Sequence, residues 1–350
     1  MTKTFAHSRN TSRTPRLRGG GSIAPVAMQI VLMFTLTTLP TPLYRDYMRA
    51  FHFSILTLTL IFATYSAGTL ATLLFLGRLS DQIGRRRTSL PAIGLAAIAA
   101  LIFLLASNIP SLFAARLLTG IAAGLSSGTA TAWLRDLHDD SEQKTASIRT
   151  VAVNVFALGL GPLWAGLFAA FAPWPMRLSY LVYILLLIPL AVAIAATAET
   201  VKERRRPSQL SLKPRIGVPR PLWAAFAAPG VTSFVIFALV GFYSAIAPNL
   251  LSQTLGQSNH AIIGGVVFEL FCVAALTVYA TRAWSSRAAM LSGAGAMLPA
   301  LACLVLAQAL PSMPALLAGT AAGGISLGLG YRGSLEVANE IAPENQRAEL

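Results

Sequence analysis

Ten apolar segments of membrane-spanning length constrain the fold of this 350-residue chain more than any other feature. A bilayer core about 30 Å thick needs roughly 20 consecutive apolar residues in a helix. Helices also satisfy their own backbone hydrogen bonds in lipid. The predicted spans are residues 23–44, 54–76, 89–107, 111–134, 148–171, 178–197, 224–248, 261–280, 288–309 and 313–333. The sequence therefore predicts an all-α, polytopic membrane helix bundle.

The composition excludes most soluble functions. Hydrophobic residues make up 55% of the chain and charged residues 11%, against about 25% charged in soluble proteins. The net charge of +14 could suggest nucleic-acid binding, but the basic residues lie between apolar segments and form no aromatic-interleaved face. Cys272 and Cys303 both fall in apolar segments and predict neither a disulfide nor a metal site. No HExxH or P-loop pattern is present, so we expect no enzyme, cofactor, metal or nucleic-acid partner.

Lysine and arginine positions predict the orientation of the chain. Residues 1–22 are polar and basic without a signal-peptide apolar region, which predicts a disordered cytoplasmic tail. If the loops alternate across the membrane, 23 of the 27 basic residues lie on the side of this tail. Three lie on the other side, namely Arg45, Arg49 and Arg177. The positive-inside rule then predicts a cytoplasmic N-terminus, in a membrane that we expect to be the bacterial plasma (inner) membrane.

The loop between the second and third spans, residues 77–87, reads GRLSDQIGRRR. Its glycines permit a tight turn, and its arginines favour the cytoplasmic side. The lone Asp81 needs a cationic or helix-terminus partner. A short loop of this kind returns the chain directly into the bilayer.

This loop resembles the signature G-x-L-a-D-r-x-G-r-k of major facilitator superfamily transporters. Ser80 and Gln82 depart from the usual alanine and arginine. The resemblance implies a gating role, in which the aspartate latches the inner ends of two halves, partly against the start of an eleventh helix. The matching residues are Gly77, Leu79, Asp81, Gly84, Arg85 and Arg86.

The resemblance implies two bundles of six helices each. Six predicted spans belong to the first bundle and four to the second. We predict an N-terminal bundle at 23–197, a cytoplasmic linker at 198–221 and a C-terminal bundle at 222–350. An internal repeat supports two halves, because small residues every fourth position let helices approach closely in lipid. It comprises Gly120, Gly124 and Gly128 in the fourth span, and Gly319, Gly323, Gly324 and Gly328 in the tenth.

A complete member of this family would continue with two more spans after Leu350. The alternatives are a truncated product, a fragment or a ten-helix variant, and we favour truncation because residues 343–347 resemble a loop that leads into another helix. Lipid can cover apolar faces, but a polar cavity needs protein on all sides. We therefore expect the chain as given to insert but to transport poorly.

Arg116 lies about a third of the way into the fourth span, where a charge needs a cavity or a partner. Its context, residues 112–120, resembles the fourth-helix motif l-x-x-x-R-x-x-q-G of the same family, with Thr119 in place of glutamine. In the family this arginine is associated with proton coupling. The alternative is an arginine that extends to the outer interface.

Gly161, Pro162 and Gly166 in the fifth span resemble the family's antiporter motif g-x-x-x-G-P-x-x-G-G. Ala157 and Ala165 replace two of its glycines. Proline removes a backbone donor and bends a helix. The resemblance favours export over uptake, and the alternative is ordinary helix packing.

Three further polar residues are candidates for coupling or substrate contact. Glu269 is the only acid well inside a span, where it could carry a proton or form a structural pair. Asp46, at the outer end of the first span, could be a gate or pair with Arg45 or Arg49. Asn154 could line a cavity or be satisfied within the bundle. The N-terminal half lacks a mid-membrane acid, which counts against proton coupling.

Together these features predict proton-linked export of a small compound by alternating access. The expected partners are a small-molecule substrate, protons and membrane lipid. The Phe-, Leu- and Ala-rich spans suit an amphipathic substrate, although lipid-facing surface explains them equally well. One alternative is a symporter for a sugar or organic acid. Another is a non-transporting scaffold or sensor, or an inactive truncated relic.

Overall fold

The computed structural model describes residues 20–137, 143–201, 222–245 and 247–341. Its regular elements are α-helices and one 3-10 turn, Thr41–Leu43, which joins the first two helices. The helices are α1 (Gly20–Thr38), α2 (Tyr44–Phe51), α3 (Ile55–Leu76), α4 (Leu79–Ile83), α5 (Arg85–Leu104), α6 (Ile109–Leu137), α7 (Gln143–Phe171), α8 (Leu178–Ala196), α9 (Trp223–Ala245), α10 (Ala247–Thr254), α11 (His260–Ala280), α12 (Ser286–Ala309) and α13 (Met313–Ile341).

Ten helical segments in the described residues are long and apolar enough to cross a membrane, which confirms the predicted number. The first span combines α1, the 3-10 turn and α2, and reaches Phe51 instead of residue 44. The third begins at Arg85 instead of residue 89, and the tenth extends to Ile341 instead of residue 333. In each case polar residues continue the helix beyond its apolar stretch, because partners from other elements satisfy them.

Buried apolar side chains form two clusters. The first draws on residues from Val26 to Ile194. The second draws on residues from Ile236 to Leu327, together with Val155 of α7. Within the first, α6 packs against α1, α3 and α5; within the second, α13 packs against α9, α11 and α12. The long contact between α7 and α11 joins them, and α3 and α9 are the two least buried spans.

Glycines of the predicted repeat create equivalent close contacts in both clusters. A side chain at Gly120 of α6 would come within 2.2 Å of the Tyr65 carbonyl oxygen on α3. A side chain at Gly328 of α13 would come within 2.4 Å of the Ala274 carbonyl oxygen on α11. Gly319 faces α12 instead. The glycines that play the same part are therefore Gly120 and Gly124 of α6, and Gly324 and Gly328 of α13.

Candidate functional site

The loop at residues 77–87 forms a compact turn with its own short helix, α4. Gly84 separates α4 from α5 with φ of 113°, a conformation that favours glycine. Gly77 has ordinary right-handed helical angles. Of the two glycines expected to permit the turn, only Gly84 therefore has a backbone conformation that requires one. Leu79 begins α4 and is half-buried. We name the end of the bundle that carries this loop the signature-loop end.

Arg85 is the centre of the polar network in this loop. Its guanidinium is buried and forms an ion pair with Asp81, with 2.5 Å between Nη1 and Oδ1. Its Nε donates to Oδ2 of Asp136 at the end of α6, at 3.2 Å, and its Nη1 donates to Ser80 Oγ at 2.8 Å. Charge-assisted bonds of this kind are about twice as strong as neutral ones. Arg85 therefore ties the loop to α6 through a carboxylate on each side.

Glu199, just after α8, caps the start of α5. Its carboxylate accepts bonds from the backbone N–H groups of Arg85 at 2.9 Å and Arg86 at 3.2 Å. The first N–H groups of a helix have no partner within the helix and favour a negative charge nearby. The Arg86 side chain donates to the Ala195 carbonyl oxygen of α8 at 3.0 Å. The loop is thus held by α6 on one side and by the end of α8 on the other.

The sequence analysis missed Asp136 and Glu199 as members of this network. Both are acids that directly follow an apolar span, on the side where the basic residues cluster. An acid at the end of a span, on the side where arginines cluster, is a usable signal for a loop partner.

Arg116 is fully buried within the first cluster. Its Nε donates to the Tyr44 hydroxyl at 2.5 Å, and its Nη1 donates to the Thr37 carbonyl oxygen at 2.5 Å. Four aromatic rings lie within 6 Å of the guanidinium carbon, at distances from 5.2 to 5.9 Å. They belong to Tyr44, Phe62, Tyr65 and Phe103. The aromatic faces attract the cation and exclude water from it.

No carboxylate in the part of the chain that the structure describes forms an ion pair with Arg116. Full burial also differs from the expected alternative of an arginine that extends to the interface. A buried cation without a carboxylate depends on hydroxyl, carbonyl and aromatic partners for its stabilisation.

The motif at Gly161, Pro162 and Gly166 lies where α7 packs closely on its neighbours. A side chain at Gly161 would come within 2.3 Å of the backbone of α1. A side chain at Gly166 would come within 2.4 Å of the His260 carbonyl oxygen, and one at Gly264 within 2.2 Å of the Pro162 carbonyl oxygen. The glycines therefore allow α7 to contact α1 on one face and α11 on another.

Glu269 lies near the middle of α11 and is half-buried. Its Oε2 atom is buried and has no hydrogen-bond partner within the described residues. The same holds for Oδ1 of Asn154 on α7 and Oε1 of Gln29 on α1. Buried polar atoms are normally paired, and α7 packs against both α1 and α11, so these three oxygens are candidate positions for a bound water, proton or ligand.

Asp46 pairs across the molecule and not with a neighbour on its own helix. Its Oδ2 lies 2.7 Å from Nε2 of His260, the first residue of α11. The adjacent Arg45 donates from Nη1 to Ser258 Oγ at 2.8 Å. The partner expected from the sequence was Arg45 or Arg49, because sequence spacing reveals only local pairs. We name this end, away from the signature loop, the opposite end.

The structure brings together only some of the candidate residues. Asp81 and Arg85 are in direct contact, and Arg86 joins them through Glu199. Arg116 contacts groups on α1, α2, α3 and α5, whereas Glu269 belongs to α11. The candidates therefore form separate polar sites along the bundle.

The sequence profile of the Major Facilitator Superfamily matches residues 26–350. Multidrug resistance protein MdtL from Escherichia coli (strain K12 / DH10B) and from Shigella dysenteriae serotype 1 are each 27% identical to this chain over 217 residues. The match covers 57% of this chain and 54% of each relative. The chain thus spans about half the length of these relatives.

A solved structure supports the fold independently. It is a bacterial homolog of the human lysosomal transporter Spinster, in an inward-facing and unoccupied conformation. It superimposes with a TM-score of 0.66 at 14% identity and covers 93% of this chain and 76% of its own. At this identity the likeness concerns the fold alone.

Proposed function

Because the chain belongs to the major facilitator superfamily, we propose that it is a secondary transporter that exports a small compound by alternating access, coupled to protons. The observation that carries the proposal is Glu269, a carboxylate in a membrane span whose Oε2 has no partner in the described residues. Ionisable groups inside membrane spans mark ion and substrate pathways. A carboxylate in this position can exchange a proton or receive a cationic group of the substrate.

Two observations support export. The MdtL relatives are multidrug resistance proteins, and the fifth span carries the partial antiporter motif at Gly161, Pro162 and Gly166. We propose that Asn154 and Gln29 face the same path as Glu269, since each has an unsatisfied buried oxygen and each lies on a helix next to the α7–α11 contact or on α7 itself. Such oxygens accept hydrogen bonds from a substrate with amine or hydroxyl groups.

We further propose that residues 23–197 and 222–350 act as two bundles that move against each other. The separate apolar clusters support this, as does the glycine-lined contact between α7 and α11. Helices that meet at small residues have few large side chains packed between them, so one bundle can move against the other. The proposed orientation places the signature-loop end in the cytoplasm and the opposite end outside.

Transport in proteoliposomes tests the coupling. The chain is reconstituted, an imposed pH gradient drives exchange, and accumulation of cationic, neutral and anionic amphipathic dyes is followed. We expect one dye class to accumulate in response to the gradient, at the low rate expected for the chain as given, and Glu269→Gln to abolish that response. Glu340→Gln, the same change at the exposed end of α13, is the matched control. Gradient-driven transport at the wild-type rate by Glu269→Gln would contradict the proposal.

Reporter fusions test the orientation separately. Fusions after Arg86, Asp140 and Arg206 should report the cytoplasm, and fusions near Asn108 and Ser258 the outside. The 23-to-3 division of basic residues motivates this expectation. An outside signal at Arg206 would reverse the proposed orientation.

A further inference from the structure

Two polar contacts connect the two helix clusters at the opposite end. Asp46 and His260 are separated by 214 positions in sequence, and Arg45 and Ser258 by 213. The backbone of His260 lies next to Gly166 of α7, where an added side chain would come within 2.4 Å of the His260 carbonyl oxygen. A change in either pair therefore acts directly on the contact between α2 and α11.

The chemistry of the Asp46–His260 pair depends on protons. A carboxylate only accepts hydrogen bonds, so at 2.7 Å the Nε2 atom of His260 carries the hydrogen. A second proton then binds at Nδ1 and converts a neutral hydrogen bond into an imidazolium–carboxylate ion pair. The two side chains are 22% and 23% exposed, so water can deliver that proton.

Other charged or titratable side chains belong to the neighbouring elements. They are Tyr44, Arg45, Tyr47, Arg49 and His52 on or just after α2, and Arg177 and Tyr180 at the start of α8, where Tyr180 contacts Tyr47. The parts of α7, α10 and the 3-10 turn that pack here contribute none.

We propose that Asp46 and His260 form a proton-binding site that holds the two clusters together at the opposite end. Proton binding from that side strengthens the pair and favours the closed arrangement, and proton loss favours its opening. By linkage, closing in turn favours proton binding. The inference rests on the proposed movement of two bundles, but it concerns a site remote from Glu269 and is independent of the substrate.

Spin-label distances across the opposite end test this proposal. Nitroxides are attached at Ser107→Cys, between α5 and α6, and at Leu310→Cys, just after α12; both positions are exposed. The background carries Cys272→Ala and Cys303→Ala, and the protein is held in lipid nanodiscs. Between pH 8 and pH 5 we expect the ratio of closed to open populations to rise about twofold to fivefold, the range for a partly exposed ion pair.

Three variants define the outcome. His260→Gln keeps a hydrogen bond but cannot be charged, so the pH response should disappear. His260→Lys carries a fixed charge and should favour the closed population at both pH values. His52→Asn, at a left-handed position that asparagine tolerates, is the control and should respond like the wild type.

The alternative results are distinguishable. A pH response that persists in His260→Gln overturns the proton-binding site alone. A single distance that ignores pH in the wild type and in every variant overturns both the site and the two-bundle movement. Elution as a single symmetric species in gel filtration confirms that each variant is folded before its distances are measured.

Discussion

Two loops at the signature-loop end are each held by a buried arginine, but from opposite directions. In the first cluster, Arg85 belongs to the loop side and reaches the carboxylates of Asp81 and Asp136. In the second, Arg332 belongs to α13 and reaches back to the loop after α11. Its guanidinium donates to the carbonyl oxygens of Thr281, Arg282 and Trp284.

The difference lies in what the arginine bonds to. A carboxylate can be protonated, can be screened by salt and can bind a different cation. The contacts of Arg85 can therefore be altered during function. Backbone carbonyls do not titrate, and among the described residues Arg332 pairs with one carboxylate, Glu336, at 2.9 Å. We infer that the second loop is a fixed attachment, and the first loop one whose contacts can change.

The largest expected effect is at Arg332. Arg332→Met removes every hydrogen bond that the Arg332 guanidinium donates to the loop. The loop carbonyl oxygens and Glu336 then lack that partner. Loss of one member of a buried charged network costs about 3–5 kcal/mol. We expect a large fall in the midpoint of unfolding of the detergent-solubilised protein. Arg332→Lys keeps the charge but not the branched set of donors, so its midpoint of unfolding should lie between those of the wild type and Arg332→Met. A wild-type midpoint for Arg332→Met would refute the fixed attachment.

The next effect is at Asp136. Asp136→Asn removes the charge that faces the Arg85 Nε and the Thr200 hydroxyl, at 3.2 and 2.9 Å. Loss of a charged hydrogen-bond acceptor beside a buried guanidinium costs about 1.5–3 kcal/mol. The double variant with Arg85→Gln should cost less than the sum of the single changes. Strictly additive midpoints would show that the two side chains are not coupled.

A smaller effect is expected at Glu199. The two carboxylate oxygens of Glu199 each accept from one N–H group, that of Arg85 or that of Arg86. Glu199→Gln keeps one acceptor oxygen, so one of the two bonds is lost together with the negative charge at the start of α5. Helix N-terminal charges contribute about 0.3–1 kcal/mol. The difference from the wild type should shrink as salt is added. A difference that is unchanged in 1 M salt would indicate that geometry, and not charge, is what Glu199 provides.

The spans were predictable from the sequence because they depend on local composition. Residues 178–197, for example, were expected to span, and α8 covers Leu178–Ala196. The prediction failed at helix ends. The tenth span was expected to stop at residue 333. The Arg332 side chain instead donates to carbonyl oxygens of the loop after α11, and α13 continues to Ile341. Partners of that kind come from another helix, so the local sequence does not reveal them.

The candidate residues show the same limit. Asp81 was expected to need a cationic or helix-terminus partner, and Arg85, four positions away, is that cation. His260 was not considered for Asp46, because 214 residues separate them and contacts between distant helices bring them together. The aromatic surroundings of Arg116 likewise come from three other spans. Local charge patterns are readable from sequence, and contacts between helices are not.

The smallest effect on stability is expected at Asp81, although the expected effect on transport is large. Its side chain is 53% exposed, so its ion pair with Arg85 contributes about 0–1 kcal/mol. Asp81→Asn should therefore insert and unfold much like the wild type. If the contacts of the first loop change during transport, removal of this charge should shift the balance between the two end states and slow transport in proteoliposomes. Glu340→Gln, the same kind of change at the exposed end of α13, is the matched control. Equal transport by Asp81→Asn and the wild type would mean that the first loop, like the second, is only a fixed attachment.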